Sequence, residues 1–97
     1  MVSYIDTMSL NSKQRKTLRA VFDTPIRSDV PWADIEKLLA ALGAEITEGS
    51  GSRVRVVLSG ARAVFHRPHP QRETDKGALR SIQRFISEAG HGPDDGS

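Results

Sequence analysis

Residues 31–43, PWADIEKLLAALG, constrain this chain more than any other stretch. Trp32, Ile35, Leu38, Leu39 and Leu42 recur at helical spacing and leave Asp34, Glu36 and Lys37 facing away. Pro31 suits the first helical position, where a missing N–H costs nothing. Gly43 suits the left-handed residue beyond the last turn. A helix with one apolar stripe needs a second layer to bury it. Trp32 could stack on a nucleobase, but its place in the stripe reads as core.

Past Gly43 the period changes from helical to alternating. Residues 44–48 read as a strand, and Gly49-Ser50-Gly51 as a turn. Residues 52–58 place Val54, Val56 and Leu58 on one face and Arg53, Arg55 and Val57 on the other. Ser59-Gly60 has the length and type of a tight hairpin turn. The third strand, 61–67, carries Val64 and Phe65 and ends where Pro68 and Pro70 cannot donate to a ladder. After a polar loop, Asp75 caps a last helix over 76–89. Leu79, Ile82, Phe85, Ile86 and Ala89 form its buried stripe, and Lys76, Arg80 and Arg84 form a basic ridge. A short helix over 12–22, capped by Asn11 or Ser12, precedes all of this and buries Leu18, Val21 and Phe22. The fold class expected is α+β: a three-stranded antiparallel meander with amphipathic helices on one face. The other face stays open, and Arg53 and Arg55 are expected on it.

A chain of 97 residues suits one small domain that buries about 60–65% of its unfolded surface, so the core is thin. Without cysteine there is no disulfide framework and no thiolate metal site. No run approaches the roughly 20 apolar residues of a membrane span, and the first residues lack the order of a secretion signal. The expected location is the cytoplasm, with no membrane partner. The net charge of +2 hides an uneven distribution. Residues 53–84 hold eight basic groups against Glu73 and Asp75, a local charge of +6. Such clustering is the electrostatic footprint of a nucleic-acid binder, and equally a solvated face.

Within that basic region lies FHRPHP, residues 65–70, with His66 and His69 among arginines. Cleavage of RNA by its own 2′-hydroxyl needs a base, an acid for the leaving 5′-oxygen and positive charge on the phosphorane-like transition state. Imidazoles and guanidinium groups can supply all three without metal or cofactor. Residues three apart on an extended chain point to opposite faces, so His66 and His69 need not converge. His66 is alternatively a half-buried strand residue. His69, between two prolines, is the less suited to a core. As metal ligands the pair lacks helical spacing and a third partner. Residues 49–52, GSGS, read either as a phosphate-binding backbone nest or as a plain hairpin turn. No Lys-Ser/Thr follows, so they are not a P-loop, and no Gly-x-Ser-x-Gly elbow is present.

The leucine-rich helix ending at Gly43, the Gly-Ser-Gly-Ser turn, Pro68-His69 and the helix start Lys76-Gly77-Ala78-Leu79-Arg80-Ser81-Ile82 together resemble the HicA toxins of bacterial toxin–antitoxin pairs. The resemblance runs from Pro31 to about Gly90. It implies a double-stranded-RNA-binding-domain-like α-β-β-β-α fold, an endoribonuclease that cleaves mRNA, and neutralisation by a HicB-like antitoxin. On this reading residues 26–90 are the RNA-binding domain and 11–25 an added helical extension. Residues 1–10 are a flexible terminus and 91–97 a disordered tail.

The chain departs from the family at Gly51-Ser52-Arg53, where many members have Gly-Ser-His with that histidine taken as catalytic. Arginine cannot act as a general base, but it holds phosphate. The resulting assignment gives acid–base roles to His69 and His66 and a transition-state clamp to Arg53. RNA contacts are assigned to Ser52, Arg55, Arg67, Lys76, Arg80 and Arg84. The alternatives are a non-catalytic RNA-binding module and a basic face that chiefly meets an acidic antitoxin.

Overall fold

The computed structural model describes residues 10–68 and 72–93. Helix α1 (Ser12–Val21) is followed by a short strand β1 (Val30–Pro31) and helix α2 (Trp32–Ala41). Strands β2 (Glu45–Glu48), β3 (Arg53–Leu58) and β4 (Ala61–His66) come next, then a short β5 (Glu73–Thr74) and helix α3 (Lys76–Glu88). The expected order of helix, helix, three strands, helix holds. The short β1–β5 ribbon is an addition: Val30 pairs with Thr74 and Pro31 with Glu73, antiparallel.

That ribbon explains why Pro31 does not sit at the first helical position. Its ψ of 139° is extended, so it serves as the N-cap residue, and Trp32 N donates to the carbonyl of Arg72 at 3.0 Å. The end of α2 follows the sequence. Gly43, at φ +100°, donates to Ala40 O, and Ala44 N reaches Leu39 O, both at 3.0 Å. This satisfies carbonyls that the helix end would otherwise leave orphaned. Asn11, not Ser12, caps α1, through a reciprocal box in which its side chain accepts from Gln14 N and the Gln14 side chain accepts from Asn11 N. Asp75 caps α3 by accepting from Ala78 N at 2.7 Å.

Strand order is β2-β3-β4, fully antiparallel. Ser59 and Gly60 both take positive φ, 50° and 87°, the signature of the type I′ turn whose twist matches the strands it joins. The core lies between the sheet and the helices. Val54, Val56 and Leu58 of β3 and Phe65 of β4 pack on Ile35, Leu38 and Leu39 of α2 and on Leu79, Ile82 and Ile86 of α3. Trp32 is buried, as its place in the stripe requires, with its ring 6.3 Å from Phe65. Phe65 in turn meets Phe85 edge-to-face at 5.7 Å. The α1 extension is part of this unit. Leu18 and Val21 are fully buried, and Gln83 Nε2 of α3 donates to Val21 O at 3.1 Å. Leu10 is also buried, so order reaches the last residue assigned to a flexible terminus, because its side chain belongs to the core. Residues 1–9 and 94–97 lie outside the described residues. Among the described residues no helix is long and apolar enough to cross a membrane.

Candidate active site

The open face of the sheet is built by register. Arg53 lies opposite His66, Arg55 opposite Val64, and Val57 opposite Arg62. On the other flank Thr47 faces Arg55 and Glu45 faces Val57. Because Val54, Val56 and Leu58 turn inward, alternation turns Arg53, Arg55, Arg62, Val64 and His66 outward. In the hairpin ladder Leu58/Ala61 is a hydrogen-bonded pair, which makes Arg53/His66 a non-bonded pair. Such pairs bring their side chains closest, with Cα atoms about 4.5 Å apart.

His66 is therefore an exposed residue of the open face, which decides against the half-buried alternative. Its Nδ1 lies 3.2 Å from Ser52 Oγ, across the mouth of the β3–β4 hairpin. The ladder runs one pair past the strands, with Arg67 N donating to Ser52 O at 2.7 Å. This holds Ser52 in place beside the imidazole. The glycine-rich turn is a hairpin connection: Gly49 N donates to Arg53 O at 2.8 Å and Arg53 N to Ser50 O at 3.1 Å. Those N–H groups are closed on the turn itself, which disfavours a phosphate nest there. A side chain at Gly49 would crowd the carbonyl of Arg53, at 3.3 Å from an added Cβ.

The basic residues divide into paired and unpaired. Arg67 is paired: its Nε donates to Glu36 Oε2 at 2.7 Å, and Nη1 reaches the Glu48 carboxylate at 2.8 Å. Glu36 Oε2 also accepts from Trp32 Nε1 at 2.8 Å. The hydrogen bond to Glu36, then that to Glu48, raises the Arg67 pKa above the usual arginine value, so it is charged throughout. Glu36 thus anchors the end of β4 rather than pointing idly to solvent. Arg53, Arg55, Arg62, Lys76, Arg80 and Arg84 are exposed or partly exposed, and none forms an ion pair among the described residues.

A cleft of about 580 Å³ runs between β4 and α3. His66 and Arg62 stand on its β4 side, with Ser81, Arg84 and Phe85 on its α3 side. Lys76 and Arg80 lie on the same helix but do not line the cleft. Thr74, buried in its lining, has a hydroxyl with no hydrogen-bond partner among the described residues. His69 lies outside the described residues. The structure thus brings together Ser52, Arg53, Arg55 and His66, adds Arg84 across the cleft, and engages Arg67 elsewhere. Sequence reasoning missed Glu36 and Arg62. The Trp32–Glu36 spacing of one helical turn was the available signal for the first, and the hairpin register was needed for the second.

No curated protein and no solved structure gives a significant match. One family model does, described as the HicA toxin of bacterial toxin–antitoxin, and it covers residues 32–90, from the first residue of α2 to just past the end of α3. On that match the chain belongs to the HicA toxin family.

Proposed function

We propose that this toxin is a metal-independent endoribonuclease that cleaves mRNA, with His66 as its proton-transfer residue on the described surface, and that a HicB-like antitoxin neutralises it. The observation that carries the reading is the cross-strand pairing of Arg53 with His66. The position that holds histidine in many relatives holds Arg53 here, and its neighbour across the ladder is an exposed imidazole. An imidazole and a guanidinium therefore still stand side by side on this face, on adjacent strands.

The chemistry is a transesterification. Nδ1 of His66 shares a hydrogen bond with Ser52 Oγ, and in the tautomer with the proton on Nδ1 the Nε2 lone pair takes the proton of a ribose 2′-hydroxyl. The 2′-oxygen attacks the adjacent phosphorus, the bond to the 5′-oxygen breaks, and a proton is delivered to that leaving oxygen. The products are a 2′,3′-cyclic phosphate and a 5′-hydroxyl. Arg53 neutralises charge gathering on the non-bridging oxygens, and Arg55 and Arg84 hold flanking phosphates. Lys76 and Arg80 extend the track along α3. His69 is the second acid–base candidate, as donor to the leaving oxygen.

The test compares RNA cleavage by wild type, Arg53→His, His66→Ala and His69→Ala, each checked for a native circular-dichroism spectrum. His66→Ala should lose about 100-fold or more in rate, the range general acid–base catalysis supplies. Arg53→His should retain cleavage. Cleavage at the wild-type rate by His66→Ala overturns the assignment. Intact RNA with wild-type protein, alongside binding that weakens steeply with salt, would favour a non-catalytic RNA-binding module.

A further inference from the structure

One wall of the cleft between β4 and α3 is unpaired backbone. The two-residue turn makes Leu58/Ala61 a hydrogen-bonded pair, and the register continues it through Val56/Ala63 and Val54/Phe65. Ala61, Ala63 and Phe65 therefore spend their N–H and C=O groups on β3, and Arg67 continues the series to Ser52. The N–H and C=O groups of Arg62, Val64 and His66 point the opposite way. Among the described residues no strand pairs with β4 on that side. Free edges are usually blunted by charged side chains, proline, a bulge or a covering element, and of these β4 carries the exposed Arg62. β4 has neither proline nor bulge from Ala61 to His66, and Val64 is 59% exposed, the one large exposed hydrophobic residue among those described.

We propose that this edge is the docking strand for the antitoxin, which adds an extended segment of its own to β4. The chemistry of that segment follows from its two sides. On the open face it would meet Arg62, Val64 and His66, backed by Arg53 and Arg55. Residues opposite Arg62 and His66 are then acidic, and the one opposite Val64 is apolar. Turned the other way, its side chains enter the cleft, where Ala78, Ser81 and Phe85 favour small or apolar residues and Arg84 and Glu88 lie on the same wall. The five positions read acidic, apolar, apolar, apolar, acidic. Main-chain hydrogen bonds supply affinity, and this pattern supplies selection. A strand in that place also lies alongside His66 and covers its imidazole. This last consequence rests on the proposed role of His66, whereas the strand addition does not.

The experiment uses the full chain labelled with ¹⁵N and the peptide acetyl-Ser-Glu-Val-Ile-Val-Glu-Ser-amide. The amides of Arg62, Val64 and His66 should shift and gain about tenfold or more in exchange protection. Those of Ala63 and Phe65, already bonded to β3, should gain little. Val64→Pro deletes one outward N–H without touching the β3 ladder and should weaken the peptide about tenfold. Methylating alternate backbone nitrogens of the peptide should do the same with the protein unaltered, so a folding defect in the variant cannot mask the answer. Arg62→Glu should weaken this peptide and favour one with lysine in place of glutamate. Absence of protection at those three amides, or equal binding of the methylated peptide, overturns the proposal. Protection of the same amides by an RNA octamer but not by the peptide also overturns it, by assigning the edge to RNA. RNA cleavage is assayed separately: a chain that binds the peptide but leaves RNA intact refutes the nuclease reading alone, and the converse refutes strand addition alone.

Discussion

Replacing Arg67 by alanine tests how much of the candidate site is held by one side chain. Its guanidinium joins Glu36 on α2 to Glu48 at the end of β2, from a residue at the end of β4. Arg67 and Glu36 are mostly withdrawn from water, with side chains 25% and 27% exposed, and Glu48 is 68% exposed. Hydrogen bonds to charged groups contribute about 1.5–3 kcal/mol. An exposed pair such as that with Glu48 contributes about 0–1 kcal/mol. Both partners of the Glu36 bond keep some solvent, which favours the lower part of its range. The expected cost of Arg67→Ala is about 2 kcal/mol. For a domain of this size, each kcal/mol lowers the melting temperature by roughly 4–8 °C, so a fall of roughly 8–16 °C is expected.

The assay is urea denaturation followed by circular dichroism, run as a double-mutant cycle. Arg67→Ala and Glu36→Gln should couple by about 1–2 kcal/mol, and Arg67→Ala with Glu48→Gln by less than about 0.5 kcal/mol. Arg67→Lys should recover only part of the loss, since a point charge cannot serve both carboxylates in fork geometry. A destabilisation below about 0.5 kcal/mol, or zero coupling to Glu36, refutes the reasoning. The same variant also speaks to RNA binding. If Arg67 contacts phosphate as well, Arg67→Ala lowers the salt slope by about 0.7–0.9, and if its donors stay within the fold the slope is unchanged.

Asp75→Ala removes the cap of α3 and should cost about 1 kcal/mol, read from the shift in the urea midpoint. Ile82, fully buried in the core, should cost about 2–5 kcal/mol when cut to alanine, measured the same way. Arg55→Ala leaves stability within about 0.5 kcal/mol, because the side chain is exposed and unpaired. On the proposed function it reduces the salt slope of RNA binding by about 0.7–0.9, measured by fluorescence anisotropy across a salt series.

The elements were legible because each has a one-sided apolar pattern and a marked end. The stripe of Trp32, Ile35, Leu38 and Leu39, the alternation of Val54, Val56 and Leu58, and the stripe of Leu79, Ile82, Phe85 and Ile86 are all buried as their spacing requires. Periodicity does not register what depends on two distant segments at once. The β1–β5 ribbon joins two-residue strands that carry no alternation to read. Arg67 belongs by composition to a basic cluster, yet Glu36 lies 31 residues away in sequence and 2.7 Å away in space. Arg62 and the cleft were likewise invisible, because a groove exists only once β4 and α3 are set side by side. The site was therefore legible as a set of residue types, and its grouping required the register.

That register also bears on what an arginine at position 53 can do beside an imidazole. On an antiparallel ladder, a residue and its cross-strand partner share one face, so exchanging their identities moves an imidazole sideways by about one strand spacing, roughly 4.8 Å. Phosphate presents several oxygens, and a guanidinium and an imidazole that are cross-strand neighbours can both reach one phosphate whichever strand carries which. The exchange is harder to accommodate for a buried pair, where volume and hydrogen bonds fix each place. Arg53 and His66 lie on the solvent face, and the imidazole's hydrogen-bond partner, Ser52, precedes Arg53 on the same strand entry. On the proposed function, a chain with arginine at both 53 and 66 would still bind phosphate on this face but would lose the imidazole, and with it RNA cleavage, in the assay set out for His66→Ala.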